Sequence, residues 1–309
     1  MRDVLVTGGG GFIGSNLVEK LLEGGVKVTV LDSFSTGRKK NLEHITSNNL
    51  ILVEGDIRDK SLIENLTRGK DVVYHLAAVV SVPESVQNPQ KCFEVNLNSS
   101  INLMDNCLKN NSKFVFASSA AVYGEDDTLV KTEDLNTGPL SPYGISKRDV
   151  EELCRLYNQQ WELEYTCFRN FNVYGPRQDV SSAYAAVIPS FIVKMLEGEE
   201  VSIFGDGTQT RDFIYVSDVV DAFKLAGDNS YNDVFNLGCN EVENLNSLVN
   251  RISSKLGEAE VKYLEERPGD IKHSRASSEK FREVSGWEPR ISLDEGINKT
   301  IEYYKNEYK

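Results

Sequence analysis

The stretch Val4-Leu5-Val6-Thr7-Gly8-Gly9-Gly10-Gly11-Phe12-Ile13-Gly14 decides how the chain folds. Val4-Leu5-Val6 reads as a short buried strand. Gly8, Gly11 and Gly14 follow at three-residue spacing. Ile13, Leu17 and Leu21, with Val18 and Leu22, then recur as one face of a helix requires. Glycine at this junction permits a tight turn and lets the backbone approach a pyrophosphate. The helix start offers free N–H groups and a positive dipole end to the phosphates. A glycine cluster alone can be an ordinary loop. Here it follows a strand and opens a helix, which is the context a dinucleotide site needs.

Outward from that turn, Gly24-Gly25 ends the helix and Val26 to Leu31 reads as the next strand. Asp32 stands at its end, 18 residues beyond Gly14. A carboxylate there can accept hydrogen bonds from adenosine ribose hydroxyls and repels a 2′-phosphate, which favours NAD over NADP. Arg38, Lys39 and Lys40 nearby keep NADP open, and a plain turn or cap is the other reading of Asp32. Further strands are expected at Leu50 to Val53, Val72 to Leu76, Phe114 to Ala117 and Tyr165 to Arg169. Helices fill the gaps, notably about 89–110 and 142–161. This alternation predicts an α/β fold: a doubly wound parallel sheet with helices on both faces. Small residues after strands, as in Asp56-Ile57 and His75-Leu76-Ala77-Ala78, leave room for a ligand or for close helix packing. Past residue 170 the pattern becomes irregular, with a helix near 188–197 and short strands at Val201 to Phe204 and Phe213 to Val216. No repeat, low-complexity tract or flexible linker separates the halves.

Composition narrows the function. The 309 residues carry a formal charge of −13, whereas a broad nucleic-acid surface is normally basic, so DNA and RNA are not expected partners. Phosphates must then be held by a local pocket of Arg and backbone N–H groups. Cys92, Cys107, Cys154, Cys167 and Cys239 are scattered, as are His44, His75 and His273, which gives no support to a disulfide framework or a metal site. The start lacks a signal-peptide pattern, and no apolar run approaches the ~18 residues that span a bilayer. A cytoplasmic enzyme with no membrane partner is the expectation.

The chemistry lies in Ser141-Pro142-Tyr143-Gly144-Ile145-Ser146-Lys147. Ser141 suits an N-cap and Pro142 the first helical position. Tyr143 and Lys147 then share a helix face. A free tyrosine has a pKa of about 10 and is a poor base at neutral pH. A nearby ammonium and a positive nicotinamide ring favour the phenolate. Lowering the pKa by ~3 units takes about 4 kcal/mol, which requires a partly dry site. Y-x-x-x-K also arises as an ordinary surface pair. Ser118-Ser119, after the fifth strand, supports function, because a serine there faces the same crevice and can hydrogen-bond a sugar hydroxyl.

Together these marks resemble the extended short-chain dehydrogenase/reductase family over nearly the whole chain: Thr7 to Gly14, His75 to Ala78, Ser118-Ser119, and Tyr143 with Lys147. The resemblance implies a Rossmann NAD-binding domain over 1–170 and a smaller α/β nucleotide-sugar domain over 171–309, with about 213–237 able to return to the first. It implies that Gly8, Gly11, Phe12, Ile13, Gly14, Asp32, Ser33, Ser35, Thr36, Gly37, Asp56, Ile57, Leu76, Ala77, Ala78, Asn96, Tyr143 and Lys147 contact NAD. Ser119, Tyr143 and Lys147 would be catalytic, and a homodimer would form through helices 89–110 and 142–161.

The second half is similar to nucleotide-sugar 4-epimerases. The similarity rests on Arg169-Asn170-Phe171-Asn172-Val173-Tyr174-Gly175-Pro176-Arg177-Gln178, Tyr184-Ala185-Ala186-Val187-Ile188-Pro189, Gly205 to Phe213, and Arg267-Pro268-Gly269-Asp270. It implies a UDP-sugar substrate. Asn172, Arg211 and Arg267 would bind the diphosphate, Asp270 would hold the ribose or assist Arg267, and Val187, Ile188 and Phe204 would line the uracil pocket. Ser119 and Tyr143 would meet the sugar, and Ser274 would border its C2 substituent with room for an N-acetyl group. Three positions depart from relatives: Val79 to Val82 lacks a lysine, Asn170 replaces an aromatic residue beside the nicotinamide, and Phe213 replaces Tyr. The related 4,6-dehydratases carry an Asp-Glu pair where this chain has Ala120-Ala121, which disfavours elimination. UDP-glucuronate epimerases or decarboxylases, a reductase that releases NAD(P), and a non-catalytic NAD-binding regulator remain as alternatives. The last predicts damage to Ser119, Tyr143 or Lys147, and all three are intact.

Overall fold

The computed structural model describes residues 1–180, 186–266 and 272–307. The first half runs β1 (Asp3–Thr7), α1 (Phe12–Glu23), β2 (Lys27–Asp32), α2 (Lys40–Glu43), β3 (Leu50–Glu54), α3 (Lys60–Thr67), β4 (Val72–His75), α4 (Val82–Gln87), α5 (Pro89–Phe93), a π-helical turn (Glu94–Asn98), α6 (Ser99–Asn110), β5 (Lys113–Ser119), α7 (Pro142–Trp161) and β6 (Tyr165–Asn170). The second half continues with β7 (Val173–Tyr174), α8 (Val187–Glu197), β8 (Val201–Phe204), β9 (Thr210–Arg211), β10 (Ile214–Tyr215), α9 (Val216–Asp228), β11 (Asp233–Leu237), β12 (Glu243–Asn244), α10 (Leu245–Leu256), β13 (Val261–Leu264), α11 (Glu279–Ser285) and α12 (Leu293–Glu307). No helix among the described residues is long and apolar enough to cross a membrane.

Seven strands form one sheet in the order β11-β6-β5-β4-β1-β2-β3, and every pair in it is parallel. Central strands are buried on both faces, which explains why they read as unbroken apolar runs. Alternate residues feed two cores. Val4, Val6, Val72, Tyr74 and Phe168 face the layer of α1 and α9. Leu5, Val73, Phe114, Phe116 and Cys167 face α3, α6 and α7. The chain reverses its winding between β4 and β1, so the crevice of a doubly wound sheet opens beyond their C-terminal ends. In the second half, β8 pairs with β13, β9 with β12 and β7 with β10, while α8 packs on α10 and α12. Within 213–237, α9 lies on α1 and β11 extends the main sheet beside β6.

Three local expectations need correction. The fifth strand does not stop at Ala117. It runs to Ser119, because Ser118 and Ser119 pair with Arg169 and Asn170. The stretch Phe213 to Val216 is strand only at Ile214–Tyr215, since Val216 already begins α9. The helix expected over 89–110 contains the π turn, where the Ser99 N–H reaches back to the Glu94 carbonyl. Asn96 sits in that turn. Its amide donates to the Val79 carbonyl (3.1 Å) and accepts from the Val79 N–H (2.7 Å), which ties the turn to the loop after β4.

Behind the β5–β6 edge lies a buried charge network. Arg169 donates from Nε and Nη2 to the Glu151 carboxylate, at 2.7 Å for the shortest bond, and from Nη1 to the Tyr123 hydroxyl at 2.9 Å. The Ser118 hydroxyl donates to the same carboxylate, and Tyr123 donates to Asn236 at 2.7 Å. Burial opposes the Arg169 charge, but Glu151 outweighs it and holds the guanidinium protonated.

Removing one partner of such a pair strands the other charge. Glu151→Ala should cost about 3–5 kcal/mol in urea unfolding, and the double replacement Glu151→Leu with Arg169→Met should cost less than that single change. A second expectation concerns the α9 layer. A Cβ added to Gly227 would lie 1.7 Å from the Tyr74 hydroxyl. Gly227→Ala should therefore lower stability by about 1–3 kcal/mol, and adding Tyr74→Phe should recover part of the loss in the same melt.

Candidate active site

Because the sheet is parallel, the loops singled out in the sequence collect at one edge. Gly8 has φ +71°, and a Cβ there would sit 2.6 Å from the Ala77 nitrogen. One on Gly14 would sit 2.1 Å from the Gly8 carbonyl oxygen. No side chain caps α1 at Gly11, and its first turn, including Phe12 and Ile13, holds no acidic residue. Leu76, Ala77 and Ala78 border this turn, with the Ala77 N–H donating to Thr7 Oγ1 at 3.3 Å. Side chains are thus excluded where a pyrophosphate must approach, and the helix start is left without an internal anion.

Asp32 accepts from the Gly10 N–H and the Phe34 N–H, each at 2.8 Å. It therefore braces the glycine turn, and each carboxylate oxygen retains capacity for a ribose hydroxyl. Gly37 lies against this carboxylate, and Ser33, Ser35 and Thr36 are exposed in the same loop. The three cations that kept NADP open are each paired: Arg38 with Asp179, Lys39 with Glu54 and Lys40 with Glu307. Asp56 turns to Arg58 at 2.6 Å, and Ile57 is buried beside it. The residues present fit a dinucleotide whose ribose carries free hydroxyls. Among the described residues no group of three His, Cys, Asp or Glu side chains is placed to hold a metal, and the five cysteines are free thiols.

Ser141 caps α7 by accepting from the Gly144 N–H at 3.1 Å, with Pro142 in the first turn. The Tyr143 N–H donates to the Ser85 hydroxyl of α4 at 3.2 Å. One turn on, the buried Lys147 Nζ donates to the Ala117 carbonyl at 2.8 Å. It also lies 4.6 Å from the Phe116 ring centroid and 5.7 Å from that of Tyr143. Burial depresses the ammonium to about 8. The Ser119 side chain stands beside the Tyr143 phenol. Burial nevertheless pushes the phenol above its ordinary value, with the Ser119 hydroxyl acting against that rise. Among the chain's own groups desolvation is the larger effect on this phenol; the expected acidification drew on Lys147 together with an oxidised nicotinamide.

The substrate-side residues fall into two groups. Asn172 donates to the Asp212 carbonyl at 2.9 Å, and the Ser274 N–H donates to the Thr210 carbonyl at 3.2 Å, which brings both beside Arg211. Arg211 stands opposite Glu243 across β9 and β12. Val187 and Ile188 open α8, and Phe204 closes β8. Arg267 and Asp270 lie outside the described residues, as do Tyr184 and Ala185. A cavity of about 370 Å³ borders Arg211, Phe213, Glu243, Arg251 and Arg290; Ser119 and Tyr143 do not line it.

Several supporting roles escaped the sequence reading, among them one for Asn96, which was expected only as a cofactor contact. Asn96 donates to Ser146 at 3.1 Å, and Ser146 donates to the Tyr143 carbonyl at 2.7 Å, so the π turn steadies the tyrosine's own helix. His75 bridges Thr7 and Ser100 at 2.7 and 2.9 Å; burial lowers it to about 3, making it a neutral strut. Buried Asp212 accepts from the N–H groups of Cys239, Asn240 and Ala276, which ties three substrate-side segments together. Glu151, four residues after Lys147, carried a spacing signal that points to the same helix face.

The model of the NAD dependent epimerase/dehydratase family matches residues 4–238. The chain is 38% identical over 308 residues to a UDP-glucose 4-epimerase of Mycolicibacterium smegmatis, covering 98% of each. Among solved structures it is similar to a UDP-N-acetylglucosamine 4-epimerase of Methanobrevibacter ruminantium in complex with UDP-N-acetylmuramic acid, at 40% identity and a TM-score of 0.95 over 99% of this chain and 100% of that one. It is also similar to a UDP-glucose 4-epimerase of Thermotoga maritima with UDP-glucose, at 38% identity and a TM-score of 0.94 over the full length of both. The chain belongs to the NAD dependent epimerase/dehydratase family.

Proposed function

We propose that this protein is an NAD-dependent 4-epimerase of UDP-hexoses. The observation that carries the reading is the Ser119–Tyr143–Lys147 set at the C-terminal edge of β5, followed by alanine at 120 and 121, where elimination would need an acid and a base. The family match and the names of the relatives support it.

When bound, NAD supplies the redox chemistry, accepting the hydrogen at sugar C4 as hydride and returning it to the opposite face. The chain's residues do the rest. Tyr143 holds at its phenol oxygen the proton exchanged with the sugar 4-oxygen, and Ser119 hydrogen-bonds that oxygen. Lys147, anchored on Ala117, contributes a positive charge on the side of the tyrosine ring. Since burial raises the phenol, the proton transfer draws on every positive charge near it, that of an oxidised nicotinamide included. Gly8, Gly11 and Gly14 admit the pyrophosphate, and Asp32 takes the adenosine ribose. Asn172 and Arg211 hold the sugar nucleotide's diphosphate. Arg suits that task because its planar fork meets phosphate oxygens in pairs. A grip confined to the nucleotide leaves the hexose free to turn over between the two transfers. Arg267 and Asp270 are assigned here by resemblance alone.

Ser274 is small and half-buried beside Thr210 and Arg211, which supports acceptance of an N-acetyl group at sugar C2.

Incubated with a panel of UDP-sugars and followed by proton NMR, the protein should interconvert UDP-glucose with UDP-galactose. Tyr143→Phe should lower kcat on the order of 100- to 10,000-fold while NAD binding persists. A panel with no C4 inversion on any UDP-hexose defeats the reading. UDP-GlcNAc and UDP-GalNAc should interconvert as well. Ser274→Tyr should selectively suppress that pair; equal loss on both pairs would count against a role for this position in substrate size.

A further inference from the structure

Ser118, Arg169 and Asn236 stand in register on three neighbouring strands, β5, β6 and β11. In-register residues of parallel neighbours project from one face of a sheet. The row lies one residue before Ser119, and its first two members meet Glu151 of α7. Asn236 is fully buried, and both ends of its amide are occupied. Oδ1 accepts from the Tyr123 hydroxyl, which in turn accepts from Arg169 at 2.9 Å. Nδ2 donates to the Lys131 carbonyl at 3.0 Å and to the Ser277 carbonyl at 3.3 Å. Those two segments are themselves paired. The Lys131 N–H donates to the Arg275 carbonyl at 2.8 Å, and the Ser277 N–H to the Lys131 carbonyl at 2.9 Å. The strip that ends at Ser277 includes Ser274, which in the function proposed above borders the sugar. One amide thus joins the strip beside the sugar to the frame that carries Ser119, Tyr143 and Lys147.

We propose that Asn236 is a positioning residue: it fixes the strip 274–277 against the Tyr123–Arg169–Glu151 network and so keeps the hexose in line with the Tyr143 phenol. This rests on the 4-epimerase reading above. A buried amide with both ends occupied holds its partners in one arrangement. The nucleotide grip has a tie of its own, from the Ala276 N–H to Asp212 at 2.9 Å, with Asn172 on the Asp212 carbonyl. Loss of the Asn236 amide therefore loosens the hexose and leaves both nucleotides held. The chemical step is sensitive to such loosening, since a displacement of about 1 Å costs on the order of 100-fold in rate. A merely structural part would instead lower binding and rate together.

Asn236→Ala, Asn236→Asp and Tyr123→Phe are assayed in the full-length protein, so that misfolding of one leaves the others. Asn236→Asp keeps the acceptor for Tyr123 and loses the donors, while Tyr123→Phe cuts the same link from the frame side. In each, kcat for C4 inversion of UDP-glucose should fall on the order of 10- to 100-fold with KM little changed. Calorimetric Kd values for NAD, and for UDP, which carries no hexose, should stay at those of the unaltered protein. Asn236→Ala combined with Tyr123→Phe should lose no more than the worse single change, because both cut one connection. Unchanged kcat, multiplied losses in the double variant, or a Kd for UDP that weakens as far as kcat falls each overturn the assignment, the last leaving Asn236 as an ordinary strut. An unaltered protein that binds UDP yet inverts no UDP-hexose brings down the epimerase reading instead.

Discussion

The geometry of the candidate site depends on one buried ammonium. Lys147 Nζ donates to the Ala117 carbonyl and is covered by the rings of Phe116 and Tyr143. A lysine so placed is costly, and its pKa of about 8 records that cost. The same bond pins the first turns of α7 to the end of β5. Tyr143 is carried on that helix and Ser119 on that strand, so their proximity follows from the docking of one element on the other. Glu151 repeats the arrangement one turn later, joining α7 to Ser118 and Arg169. α7 is thus riveted to β5 at two successive levels, and at the lower one, charged at both ends, to β6 as well.

The glycine turn uses backbone where the region around Arg211 uses side chains. At the glycine turn the fitted surface is made of N–H and C=O groups, and Gly8 and Gly14 are required by the backbone a Cβ would strike. Asp32 serves both the turn and, in the proposed function, the ribose. Around Arg211, short two-residue strands and a buried carboxylate hold the segments together. Such pieces have little stability of their own and are fixed mainly by the contacts between them.

Much of this was legible in the sequence because it obeys local rules. The parallel sheet announced itself through apolar runs separated by helical periodicity, and α7 through Ser141 and Pro142 at its start. What escaped depends on contacts between residues far apart in the chain. Nothing around Ser118 and Ser119 marks them as strand; they become so by pairing with Arg169 and Asn170, some fifty positions away. The acidity of Tyr143 could not be read from its spacing to Lys147, since desolvation depends on everything packed around the ring. The role of His75 was equally hidden, because a neutral strut and a catalytic histidine look alike until both ring nitrogens find their partners.

The widened helical turn at Glu94–Asn98 has a consequence for how this chain tolerates change in length. A π turn holds one residue more than the α-helical path would, and it usually arises where such a surplus has been absorbed rather than expelled. Loss of a single residue there would restore a regular helix but rotate everything before it by roughly 100°. Asn96 would then swing off Val79 and Ser146, and α4 would no longer present Ser85 to the Tyr143 amide. The spare residue acts as a shim, so an indel far from the reacting atoms would be felt at the phenol.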